Sequence, residues 1–204
     1  MVDSFPEPRL IFSHSNYKFL ASKLKKTNNK IIYCLRNPKD ALVSMMYVYN
    51  TFYKHSTLSL LGREATLEET LEFYCSPRAD NGSYFDQVLP WWEHRNDHQI
   101  LFVYYEDTLR DPENTVRKIA QFLEKDLTDE QVKTILDATT ITSMKKTYAE
   151  VPMPESLKNF NLGGGIRKGG VGGWKNYFTV AQNEWMDDLI EKHFAGTGLK
   201  FTYE

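Results

Sequence analysis

Two short apolar runs stand out along the chain, Lys30-Ile31-Ile32-Tyr33-Cys34-Leu35 and Gln99-Ile100-Leu101-Phe102-Val103-Tyr104-Tyr105. Neither alternates polar with apolar, the pattern expected of strands covered on both faces. A third, shorter run, Arg9-Leu10-Ile11-Phe12, follows two prolines and is also β-prone. Helical spacing separates the runs. Leu42, Met45, Met46, Tyr49, Phe52 and Tyr53 recur at i, i+3, i+4, i+7, a buried helical stripe. Val116, Ile119, Ala120 and Leu123 form a second. Strands separated by helices imply crossover connections and a parallel sheet.

Start and stop signals sharpen these elements. Asn37 caps a helix whose first position is Pro38, and Asp111-Pro112 opens another. Thr66-Leu67-Glu68-Glu69 and Thr128-Asp129-Glu130-Gln131 read as capping boxes. Thr179 through Gln182 opens a last helix that Gly196 closes. Asn81-Gly82-Ser83 reads as a turn. The stretch from Val151 to Trp174 breaks the pattern: seven of the chain's 11 glycines lie between Gly163 and Gly173, around Arg167-Lys168. It reads as a long functional loop.

Composition adds limits. The 204 residues carry 25 Lys+Arg against 27 Asp+Glu, a net charge of -2. One domain spanning 1–204 is expected, and a general nucleic-acid or membrane-surface binder is excluded for want of a basic excess. A local basic patch for one phosphorylated ligand remains compatible. Cys34 and Cys75 are expected as reduced, packed thiols, and no metal-ligand spacing occurs. With no signal-peptide pattern and no long apolar run, a cytoplasmic protein is expected.

Three places carry candidate chemistry. Arg36 follows the Lys30–Leu35 run, at the end where open α/β sheets bind ligands, and Ser44 comes about two helical turns later. A guanidinium fork and a hydroxyl suit a phosphate. The alternative is an Arg36–Asp40 ion pair with Ser44 as a solvated helix position. In the second place, glycine amides and the pair Arg167-Lys168 suit an anion, although the loop matches no nucleoside-triphosphate cradle. A merely flexible loop is the competing reading. The third is His14, just after the Arg9–Phe12 run, placed for general-base work or simply a surface histidine.

Together these residues resemble the cytosolic sulfotransferase family, whose members move a sulfuryl group from 3′-phosphoadenosine 5′-phosphosulfate (PAPS) to a hydroxyl or amine. Arg36-Asn37-Pro38-Lys39-Asp40 with Ser44 resembles the family's 3′-phosphate site. Arg167-Lys168-Gly169-Gly170-Val171-Gly172-Gly173-Trp174-Lys175 is similar to its Arg-Lys-Gly-x-x-Gly-x-Trp-Lys signature, which wraps the same phosphate. Tyr105, in Tyr104-Tyr105-Glu106-Asp107, and Thr139 match its adenine contacts. Lys175 to Glu184 is similar to its dimerisation segment, and His14 falls at its catalytic histidine.

The resemblance implies a three-layer α/β fold with a mostly parallel sheet flanked by helices, related to P-loop NTPases. It implies PAPS as co-substrate with no metal, a small-molecule acceptor, and a homodimer. The sequence also departs from the family. The Lys-Ser-Gly-Thr-Thr-like 5′-phosphosulfate loop and its central strand have no counterpart in the 204 residues, so an N-terminally truncated fold is expected. Phe12 replaces a customary lysine, and Ile141 and Gly165 replace customary aromatics. The alternative function is a non-catalytic nucleotide-binding or dimer-partner protein of the same fold. A nucleoside or nucleotide kinase is disfavoured, because no Gly-Lys-Ser/Thr loop occurs.

Overall fold

The computed structural model describes residues 8–52, 63–79, 81–150 and 168–204. Two strands pair in parallel: β1 (Ile31–Leu35) runs beside β2 (Ile100–Tyr104), with Ile31 opposite Ile100 and Leu35 opposite Tyr104. Between them come α2 (Pro38–Phe52), α3 (Leu67–Tyr74) and α4 (Tyr84–Glu93). Helix α1 (Tyr17–Leu24) precedes β1. After β2 follow α5 (Tyr105–Arg110), α6 (Pro112–Phe122), α7 (Asp129–Ala138), α8 (Ile141–Glu150) and α9 (Val180–Phe194). The architecture is α/β, a parallel sheet flanked by helices.

Start signals act where the sequence puts them. The Asn37 side chain accepts the Asp40 N–H at 2.9 Å, and Pro38 opens α2. Thr66, Thr128 and Thr179 each close a reciprocal capping box. Asp111 caps α6 through the Asn114 N–H. Past the end of α9, Gly196 takes φ +74°, a left-handed stop. Two helices carry caps the hydrophobic pattern did not single out. Asn16 caps α1, and Ser83 with Asp86 forms the capping box of α4.

One face of the sheet makes the core. Tyr33, Leu35, Phe102 and Tyr104 point into a cluster with Leu42, Phe85, Val88, Met186 and Phe194. These come from α2, α4 and α9, so burying the face locks three helices onto two strands. The opposite face departs from expectation. Ile32, Leu101 and Val103 are only half-buried, and Cys34 is exposed. Helix α6 packs on β2, while Cys34 on β1 is left exposed rather than packed. Cys75 does pack, and burial pushes its thiol up to about 12.

Arg9–Phe12 is also corrected: it forms no strand. Leu10, Ile11 and Phe12 are 97%, 62% and 84% exposed. Strand preference reflects fit to a pleated, half-buried surface, and no described strand pairs with this run.

Candidate functional site

The carboxyl ends of both strands, the first turn of α2 and the segment from Lys168 converge on one place. Arg36 follows β1, and its guanidinium lies 4.4 Å from the ring centroid of Tyr105, the residue that follows β2. One Arg36 nitrogen donates weakly to the Gly170 carbonyl at 3.3 Å. The Arg36 Nε is buried and has no hydrogen-bond partner. The expected alternative, an Arg36–Asp40 ion pair, is not what forms, because Asp40 is engaged elsewhere.

Gly169 closes the site from above. Its φ is +71°, and an added Cβ would lie 2.4 Å from Ile141 Cδ1 and 3.7 Å from the Tyr105 hydroxyl. The contact with the Tyr105 hydroxyl would be ordinary, but the positive φ disfavours any other residue and a Cβ would force the tip of Ile141 aside. Gly169→Ala is expected to displace Ile141 and weaken binding of adenosine 3′,5′-bisphosphate by about tenfold or more, measured by calorimetry.

Other candidates are placed less decisively. Ser44 is half-buried on α2. Thr139 is exposed at the end of α7, its hydroxyl turned back on the Ile135 carbonyl at 2.8 Å. Lys168 is exposed. Arg167, Gly165 and the loop stretch Val151 to Ile166 lie outside the described residues. His14 is exposed, with Phe12 edge-on to its ring at 4.8 Å.

The structure also brings forward Tyr84 and Gln87, which no sequence pattern singled out. At the start of α4, the Tyr84 hydroxyl donates to the Arg36 carbonyl at 2.6 Å. Burial raises the Tyr84 pKa well above the usual phenol value, so the hydroxyl keeps the proton it donates. One turn on, Gln87 Nε2 donates to the His14 carbonyl at 3.2 Å. One helix face therefore indexes both the Arg36 turn and the His14 turn. Beneath the site, Asn37, Asp40 and Glu106 form a buried polar cluster. Lys39, 4% exposed, lies 2.5 Å from Asp187 and over Trp174, and joins α2 to α9. The signal available beforehand was three polar residues, Asn37, Lys39 and Asp40, at the cap and first turn of a helix otherwise lined for burial.

A cavity of about 620 Å³, lined by Leu24, Asn28, Asp97, His98 and Gln99 among others, opens at the amino ends of the strands. It is at the other end of the sheet from Arg36 and Tyr105, and ligands of open α/β sheets bind at the carboxyl end. Among the described residues, no group of three or more His, Cys, Asp or Glu could hold a metal ion. None of their helices is long and apolar enough to cross a membrane.

The sulfotransferase domain family matches residues 1–198. The chain belongs to the sulfotransferase family. It is 36% identical over 207 residues to the amine sulfotransferase of Oryctolagus cuniculus, covering 100% of this chain and 67% of that protein. It is 37% identical over 204 residues to sulfotransferase 1C2 of Rattus norvegicus, at 99% and 67%. The chain thus spans about two-thirds of these curated relatives. Among solved structures, mouse sulfotransferase SULT7A1 complexed with PAP superposes with a TM-score of 0.80 at 33% identity, covering 96% of this chain and 70% of that one. Retinol dehydratase, in complex with androsterone and inactive cofactor PAP, gives 0.81 at 24% identity, covering 99% and 58%, a likeness of fold alone. By family and fold, this chain is a sulfotransferase.

Proposed function

We propose that the chain binds PAPS by its 3′-phosphoadenosine end and transfers the sulfuryl group to a hydroxyl or amine of a small-molecule acceptor. The observation that carries this reading is the Arg36 guanidinium, held on Tyr105 with a buried, partnerless Nε beside the close-packed Gly169. A buried donor without an acceptor is costly unless a ligand supplies one. A phosphate is the acceptor that fits a guanidinium fork. Arg36, Ser44, Arg167, Lys168 and the Gly169 amide would hold the 3′-phosphate, and Tyr105 and Thr139 the adenine. Complexes of the relatives with PAP support the nucleotide.

His14 would act as the base. It takes the acceptor proton as the acceptor oxygen or nitrogen bonds to sulfur, while the bond from sulfur to the bridging phosphate oxygen breaks. Adenosine 3′,5′-bisphosphate leaves with the bridging electron pair. Removing a positioned base costs typically 10²–10⁴-fold. The test is transfer of labelled sulfate from PAPS to phenols, steroids and amines. The His14→Asn variant is expected to lose at least about 100-fold in kcat while its affinity for adenosine 3′,5′-bisphosphate stays within about twofold. Equal turnover by both proteins would remove His14 from the chemistry.

A second reading, nucleotide binding without transfer, is favoured by the Phe12 ring standing edge-on against His14. An apolar ring there offers no charge to a developing anion. Saturable nucleotide binding with no turnover on any acceptor is the outcome that selects it. We also propose a homodimer through Lys175 to Glu184, supported by Val180, 75% exposed within that segment. A cytoplasmic location is supported by the free Cys34 and Cys75 thiols.

A further inference from the structure

Asp40 is 2% exposed, yet its carboxylate takes no cation. Instead Oδ2 accepts the Gly172 N–H at 2.8 Å and Asn37 Nδ2 at 2.9 Å, and Oδ1 accepts the Trp174 N–H at 2.9 Å. A buried carboxylate is tolerable only when its lone pairs are filled, and here backbone amides from 132 and 134 residues away fill them. The first turn of α2 adds the favourable field of a helix N-terminus.

Asn37, with none of its surface exposed, extends the cluster. Its N–H and Nδ2 both donate to Glu106 Oε1, at 2.7 and 2.9 Å. Each member of the cluster is a near neighbour in sequence of a residue at the candidate site. Asn37 follows Arg36, Glu106 follows Tyr105, and Gly172 lies just beyond Gly169 and Gly170. Three separate chain segments are therefore indexed to one another through two buried carboxylates.

We propose that Asp40 is a positioning residue for 3′-phosphate recognition: its carboxylate holds the Gly169–Trp174 segment in register with Arg36, so that backbone amides and guanidinium meet one phosphate. Asp40 touches no ligand; it acts through Gly172 and Trp174. This inference rests on the nucleotide reading above.

The test compares adenosine 3′,5′-bisphosphate with adenosine 5′-phosphate by calorimetry on the full chain. In Asp40→Asn an amide NH₂ replaces one acceptor and confronts a backbone N–H, so one of the two segment contacts is lost. The bisphosphate Kd is expected to rise about 10–100-fold. The adenosine 5′-phosphate Kd is expected to move less than about threefold, because that ligand lacks the phosphate being positioned. Asn37→Ser keeps a helix cap but cuts the bridge between Asp40 and Glu106. It is expected to show the same selectivity at about 3–10-fold, which keeps the test decisive where Asp40→Asn fails to fold. Equal weakening toward both ligands, or unchanged bisphosphate affinity in a folded variant, overturns the positioning role. Failure of the unaltered chain to bind either nucleotide instead removes the site reading on which it rests.

Discussion

Arg36→Ala is expected to weaken adenosine 3′,5′-bisphosphate binding by about 100-fold or more, the largest single loss at the site. Its existing contacts are modest: a ring face at 4.4 Å and one long bond to the Gly170 carbonyl. Most of its donor capacity is therefore uncommitted, and its Nε is buried without a partner. Hydrogen bonds to charged groups contribute about 1.5–3 kcal/mol each, and a bidentate guanidinium–phosphate pair forms two. About 3 kcal/mol in total corresponds to the expected factor. Arg36→Lys keeps the charge but not the fork and is expected to recover only part of the affinity. Thermal stability should fall by no more than about 1–2 kcal/mol, because only one cation–aromatic contact and one long hydrogen bond are lost. Calorimetry on the two variants beside their unfolding midpoints separates loss of ligand from loss of fold. Unchanged affinity in Arg36→Ala would contradict the assignment.

The second large effect is on stability. Phe85 is 1% exposed, stacked on His193 at 4.2 Å and packed beside Phe194 at 5.3 Å. It ties α4 to α9 across the core face of the sheet. Phe85→Ala removes a whole ring from a close-packed interior and is expected to cost about 3–5 kcal/mol. That is a large part of the 5–15 kcal/mol typical of a domain. Urea denaturation should show a lower midpoint with an unchanged slope. Phe85→Leu keeps most of the volume and is expected to cost less than half as much. A loss under about 1 kcal/mol in Phe85→Ala would mean that α4 is not held through this ring. The effect bears on the site too, because α4 carries the Tyr84 and Gln87 bonds to the Arg36 and His14 carbonyls.

What could be read in advance was local. The caps at Asn37, Thr66, Asp111, Thr128 and Thr179 act over three residues, so a four-residue pattern contains their whole cause. The runs at Ile31–Leu35 and Ile100–Tyr104 announced strands because their apolar content is continuous. Arg36 could be placed because a strand end is a position in sequence as well as in space.

What could not be read depends on partners distant in sequence. Leu10, Ile11 and Phe12 have strand-forming side chains, but a strand exists only through its neighbour. Cys34 looked buried from its run, although burial of that face depends on what covers β1. The local pattern offers Asp40 as a mate for Arg36, four residues back. Its amide partners lie beyond residue 170, and no local pattern announces a contact over that separation. Thr139 matched a family position, but its hydroxyl is turned onto the Ile135 carbonyl.

The central claim, that this chain grips a nucleotide by its 3′-phosphate, is tested most directly by titrating adenosine 3′,5′-bisphosphate and adenosine 5′-phosphate into the unaltered protein. The account predicts saturable binding at one site per chain, at least about tenfold tighter for the bisphosphate, with the difference shrinking as salt screens the phosphate. Equal affinity for the two nucleotides, or no binding of the bisphosphate, would contradict it.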